Sequence, residues 1–211
     1  MSRQRPAAAP AAGHVRIIGG RWRGTRLPVG DAPGLRPTSD RVRETLFNWL
    51  QPKIANARVL DLFAGTGALG LEALSRGARE AILVESAPEV AEPLRKVIER
   101  LDASAQATVV RADALRWLQA PLHGRFDIVF IDPPFDAGLW SGVLESLPPW
   151  LSADAWVYLE TPLAQPPTLG PDWIPQREGR TREVRYALYR RIDGATATLA
   201  PDSSTGGAAT A

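Results

Sequence analysis

The run Phe126-Asp127-Ile128-Val129-Phe130-Ile131 ends in Asp132-Pro133-Pro134-Phe135, and that ending narrows the fold more than any other stretch. Residues of mostly β-branched and aromatic character read as a strand buried on both faces, the pattern of a central strand in a parallel sheet. Pro133 and Pro134 lack N–H groups and hold φ near about −65°, so they stop the ladder and stiffen the exit. Asp132 is thereby held at the carboxyl end of a central strand, where open α/β sheets bind their ligands. The proline carbonyls offer acceptors and Phe135 a flat face, a set that suits a planar molecule bearing an NH2 group, as nucleobases do. Taken alone the same residues are also common turn chemistry, so the rest of the chain decides.

From Arg58 onward strand and helix patterns alternate. Strands are expected over 58–63, 80–85, 107–112, 126–132, 156–160, 173–177 and 183–192, with helices over 68–76, 90–101, 113–118 and 139–147. Such alternation predicts a doubly wound, seven-stranded, mostly parallel α/β sheet, its last two strands suiting an antiparallel hairpin. Pro93 should kink its helix or delay the start. Upstream, 15–29 reads as one or two small antiparallel strands broken by Gly19-Gly20 and Gly24. A helix comes next, capped by Asp40 or Ser39, carrying the apolar stripe Val42, Leu46, Trp49, Leu50 and ended by Pro52. The expected division is a flexible tail (1–14), a basic hairpin and helix (15–52), an α/β domain (53–193) and a second flexible tail (194–211).

Between the first strand and first helix of that domain, Gly65, Gly67 and Gly70 fit G-x-G-x-x-G, the fingerprint of an adenosine-containing cofactor. Glu85 lies at the end of the second strand, where a carboxylate grips ribose hydroxyls. NAD and S-adenosylmethionine both remain candidates at this point. Asp61, just before the loop, would repel a pyrophosphate but suits the ammonium of a methionine moiety. Asp113, after the third strand, could accept from an adenine amino group, although both aspartates would serve equally as helix caps. No nicotinamide-site pattern is present downstream, whereas the Asp132 motif is. Thr66 in the loop and Ala114 beside Asp113 complete the candidate cofactor set.

Charge is unevenly spread. Residues 1–43 carry a balance of +7 and residues 44–211 one of −5, within a net charge of +2. A basic front on a mildly acidic body predicts a polyanion contact at one end. Arg16, Arg21, Arg23, Arg26, Arg36 and Arg41, with Trp22 among them, are the candidate RNA contacts: phosphate neutralisation plus base stacking. The competing reading is a solvated hairpin with Trp22 packed inward. The absence of cysteine and the presence of only two histidines, His14 and His123, argue against thiolate chemistry and a histidine metal site. No apolar run approaches a membrane span and no signal-peptide core is visible, so a cytoplasmic protein is expected. A monomer that works without metal is the accompanying expectation.

Arg16–Gly24, Arg36–Leu50 and Asp61–Arg76, with Asp132-Pro133-Pro134-Phe135, resemble the bacterial RsmD family over about Val15 to Ile192. The resemblance implies a class I methyltransferase fold and S-adenosylmethionine as donor. It also implies guanine 966 of 16S ribosomal RNA as target, methylated at N2 within an assembled or assembling small subunit. Pro88 and Pro93 depart from the pattern and bear on local helix geometry. An adenine-N6 or cytosine-N4 DNA methyltransferase, an NAD-dependent oxidoreductase and a non-catalytic RNA-binding assembly factor are the alternatives.

Overall fold

A computed structural model of the chain describes residues 14–29, 38–120, 124–164 and 166–191. Residues 1–13 and 194–211 of the two expected tails, and Arg36, lie outside the described residues, whereas His14, expected in the first tail, begins a strand. Strands β3 (Arg58–Asp61), β4 (Glu80–Glu85), β5 (Ala107–Arg111), β6 (Phe126–Ile131), β7 (Leu151–Pro162), β8 (Trp173–Arg180) and β9 (Val184–Arg191) form one seven-stranded sheet in the order β5-β4-β3-β6-β7-β9-β8. β3 to β7 pair in parallel, and β9 runs antiparallel to both β7 and β8. Helices α1 (Asp40–Ile54), α2 (Ala68–Ser75) and α3 (Pro88–Arg100) cover one face, and α4 (Ala114–Leu118) and α5 (Trp140–Ser146) the other.

The pleat divides the apolar side chains between the faces. Val59, Leu83, Ile128, Phe130, Tyr158 and Leu188 join the core under α1 to α3. Leu60, Ile82, Val84, Val129, Ile131 and Val157 join the core under α4 and α5. The near-continuous apolar runs of the central strands are therefore the consequence of two covered faces.

Some elements differ from expectation for local reasons. α1 runs two residues past Pro52, since a proline in the last turn loses one N–H bond without blocking the residues after it. Ser39 is its cap, accepting from the Val42 N–H at 3.4 Å, rather than Asp40. α3 starts at Pro88, where a missing N–H costs nothing, and runs on through Pro93, so a later start is excluded. β7 begins at Leu151 rather than Trp156, because a register irregularity opposite Phe126/Ile128 absorbs the polar stretch Ser152–Asp154.

Strands β1 (His14–Arg16) and β2 (Arg26–Pro28) form the small antiparallel hairpin. Val15, Ile17 and Leu27 share the core beneath α1 and α2, so the hairpin is docked on the domain. Its loop folds onto the end of α2: the Arg21 N–H donates to the Ser75 carbonyl at 2.9 Å, and Ser75 Oγ donates to the Gly19 carbonyl and accepts from the Trp22 N–H. Gly20 makes this contact with φ of +73°, and a Cβ there would stand 1.9 Å from the Ser75 carbonyl oxygen. Gly20→Ala is expected to cost more than about 2 kcal/mol, a left-handed residue and a backbone clash together, checked by the urea midpoint.

Candidate active site

Because β3, β4, β5 and β6 are parallel, their carboxyl ends open along one edge of the sheet. Asp61 closes β3, Glu85 closes β4, Asp113 lies just beyond β5 and Asp132 just beyond β6. Acids dispersed through about seventy residues of sequence are thus gathered by topology.

Asp61 is 2% exposed, and its Oδ2 accepts from the Gly70 N–H at 2.9 Å, tying the strand end to the first turn of α2. Burial pushes its carboxyl up to about 7, with the charge of Glu85 adding to that and the Gly70 and Phe63 N–H groups opposing it. Glu85 braces the loop from the other side: one oxygen accepts from the Gly65 N–H at 2.9 Å, the other from the Ala87 N–H at 2.8 Å. Each of those oxygens keeps a second lone pair for a ligand. Gly67 sits at φ of +76°, left-handed backbone that glycine adopts without strain, and a Cβ there would also push on the Leu94 side chain, 2.5 Å from its Cδ1. Thr66 is half-buried between Gly65 and Gly67. Asp113 caps α4, accepting from the Arg116 N–H at 2.9 Å, with Ala114 buried behind it.

Asp132 is half-buried beyond β6, Pro133 is buried and Pro134 exposed. Phe135 opens a single 3-10 turn and is half-buried, its ring 5.9 Å from that of Trp140 at 44°. Three residues that sequence reasoning missed complete the environment. Thr38 Oγ1 lies 3.0 Å from Asp132 Oδ2 and 3.3 Å from Glu160 Oε2, and the Tyr158 hydroxyl donates to Glu160 Oε2 at 2.8 Å. Burial, then the charge of Glu160, push the Asp132 carboxyl well above the usual range; the Thr38 hydrogen bond opposes the shift and Asp61 adds to it. One signal could have found Glu160: it is an acid near the end of the strand next to β6, as Asp61 and Glu85 are on theirs.

The candidate RNA contacts fall into two groups. Arg23 and Arg26 are exposed on the hairpin, and Arg41 is exposed on the first turn of α1. Arg16, also exposed, is engaged by Asp40 at 3.0 Å. Arg21 lies over the Trp22 ring, 3.9 Å from its centroid, and its guanidinium also bonds Gln106. Trp22 itself is half-buried against the core, so its ring stands between the two roles considered for it.

A seven-stranded sheet with one reversed strand, a glycine loop after the first parallel strand and an acid at each successive strand end is the class I S-adenosylmethionine-dependent methyltransferase fold. Comparison with known proteins narrows the class. Residues 15–190 match the family model described as Conserved hypothetical protein 95. The chain is 48% identical over 182 residues to ribosomal RNA small subunit methyltransferase D of Escherichia coli strain K12, covering 85% of this chain and 91% of that one. It is 44% identical over 184 residues to the protein of the same name from Haemophilus influenzae, covering 85% and 95%. The solved structure of Escherichia coli yhhF superposes with a TM-score of 0.78 at 48% identity, covering 85% of this chain and 99% of that one. The chain belongs to this family, the RsmD methyltransferases. The oxidoreductase and non-catalytic readings fall with that membership. Among the described residues, no helix is long and apolar enough to cross a membrane.

Proposed function

We propose that the protein transfers a methyl group from S-adenosylmethionine to the exocyclic N2 amine of a guanine, position 966, in 16S ribosomal RNA of the small subunit. The observation that carries this reading is Asp132-Pro133-Pro134-Phe135 at the end of β6, beside a glycine loop flanked by Asp61 and Glu85. The residues fit the donor: Asp61 offers a buried carboxylate for an ammonium, Glu85 spare lone pairs for ribose hydroxyls, and Asp113 with Ala114 an acceptor beside an apolar contact for adenine. Thr66, Gly65 and Gly67 bring backbone close to it. When bound, S-adenosylmethionine supplies an electrophilic methyl on a positively charged sulfur.

The chain's own residues then have to make a poor nucleophile attack. The lone pair of a guanine 2-amino group is delocalised into the ring. Asp132 and the Pro133 carbonyl accept the two amine hydrogens, which localises that lone pair, and Phe135 stacks on the base to set its plane. Positioning of this kind is worth up to about 7–11 kcal/mol. Positive charge grows on the nitrogen during transfer, and the Asp132 carboxylate, fixed in place beforehand, stabilises it and is the acceptor for the surplus proton. The base must leave its stack or lie in a loop to reach the site. Arg16, Arg21, Arg23, Arg26, Arg36 and Arg41 hold the surrounding phosphates.

Transfer of labelled methyl to small-subunit particles from cells lacking the native enzyme tests the reading. Label at N2 of one guanine is the expected result, and label appearing only on DNA or on another amine overturns it. A second expectation concerns Asp61. With its carboxyl at about 7 in the free protein, roughly a tenth is ionised at about pH 6 and about nine-tenths at about pH 8. If the ionised form binds the donor's ammonium, the Kd for S-adenosylmethionine falls about ninefold across that interval. Calorimetric titration should show it, and Asp61→Asn should flatten the dependence while weakening binding.

A further inference from the structure

Thr38 comes from the approach to α1, 94 positions from Asp132 in sequence, yet its hydroxyl touches that carboxylate. It bridges Asp132 to Glu160, which is 7% exposed on β7 and whose carboxylate is held in turn by the Tyr158 hydroxyl. The Trp140 indole N–H donates to the Glu160 carbonyl at 3.0 Å, which fixes the strand end from the opposite face. A threonine hydroxyl has one hydrogen to donate and its β-branched side chain few rotamers, so it holds a carboxylate oxygen in a defined place. The neighbouring acid is not there for stability. A buried carboxylate beside a half-buried one opposes its ionisation, and such pairs concentrate at functional sites.

We propose that Thr38 and Glu160 are positioning residues for the reaction at Asp132. Thr38 gives its one hydrogen to the nearer Asp132 oxygen and fixes the direction of that carboxylate, and Glu160, anchored by Tyr158, adds negative charge behind the group that meets the developing cation. This rests on the reading of Asp132 as the acceptor of the amine hydrogens. The groups facing Asp132 are Thr38, Asp61 from β3, and Tyr158 and Glu160 from β7, with Tyr186 of β9 behind Tyr158. The Glu160 charge holds the Asp132 carboxyl up. Replacing Glu160 with a neutral residue therefore moves the Asp132 ionisation, and the acid limb of kcat, to lower pH.

The variants Thr38→Val, Thr38→Ser and Glu160→Gln separate this from a purely structural role. Methyl transfer with small-subunit particles saturating and S-adenosylmethionine varied gives kcat and the KM for S-adenosylmethionine. NMR titration of isotope-labelled aspartate carboxyls, without RNA, tracks Asp132 directly, its resonance identified by its absence in Asp132→Asn. Thr38→Val is expected to lower kcat by about tenfold or more, the scale of a misplaced reacting group, with the KM for S-adenosylmethionine unchanged. Thr38→Ser should recover most of that loss, and the Asp132 midpoint should fall in Glu160→Gln. Wild-type kcat in Thr38→Val, or an unmoved Asp132 midpoint in Glu160→Gln, overturns the proposal. A wild-type protein that transfers no methyl to the particles, while Asp132 titrates as expected, overturns the substrate reading alone.

Discussion

Asp132→Ala is expected to lower methyl transfer at least about a hundredfold, roughly 2.7 kcal/mol, the scale of one preorganised electrostatic partner, while S-adenosylmethionine still binds. The two effects separate because the donor's proposed partners are Asp61, Glu85 and Asp113, on other strands. Loss of fold will not explain the result. Burial and the charge of Glu160 raise the Asp132 carboxyl in the folded state. A raised carboxyl pKa means that the native chain holds its proton where the unfolded chain has released it. The stability that this residue adds at low pH is therefore lost as pH rises through the folded value. At neutral pH and above, removing Asp132 relieves a burden, so the melting temperature of Asp132→Ala should equal or exceed that of wild type. Single-turnover transfer measured beside a thermal melt checks both halves. A mutant as active as wild type would remove Asp132 from the chemistry, and one that binds no cofactor would show that the motif serves folding.

The parallel core was legible because buried central strands are written as unbroken apolar runs, and Phe126–Ile131 is the clearest of them. The tight loop between β3 and α2 was legible because glycines at that spacing mark a strand-to-helix turn, and Gly65 and Gly67 do take positive φ there. Less readable were features whose signal is distributed. β7 extends through Ser152 and Asp154, which an irregular register tolerates and a periodicity count does not. Thr38 and Asp132 meet across 94 positions, and nothing local to either marks the other. Trp22 could be assigned neither to solvent nor to core from its neighbours, and the ring is half-buried, with Arg21 lying on it. Residues whose role is set by partners distant in sequence, rather than by local pattern, were the ones missed.

Glu72 is the strongest such case, and its replacement should be the most damaging to stability. It is the one charged residue in the otherwise apolar and small-residue sequence of α2, but nothing near it names its partners: its side chain is 0% exposed and its carboxylate is the point where three segments meet. The Ile18 and Gly19 N–H groups of the hairpin loop donate to it at 2.6 and 2.7 Å, and Arg76 Nε does so at 2.7 Å. Arg43 of α1, also 0% exposed, lies 3.9 Å away and reaches on to Asp40 and to the Arg16 carbonyl. Glu72→Ala leaves a buried guanidinium short of its counter-charge and two backbone donors without acceptors, which costs about 3–5 kcal/mol. Against a typical total of about 5–15 kcal/mol, that is enough to unfold a marginal chain. The urea midpoint should fall accordingly, and exchange of the Ile18 and Gly19 amides should accelerate beyond the global change, since the hairpin loses its anchor first. The Arg43→Met/Glu72→Met double variant tests the cause. If the cost is an uncompensated charge, removing both partners is less harmful than the two single losses summed, a coupling of about 0.5–3 kcal/mol for groups in contact. Strict additivity would mean that Glu72 acts through the hairpin amides and Arg76, and that Arg43 is held by Asp40 and the Arg16 carbonyl without it.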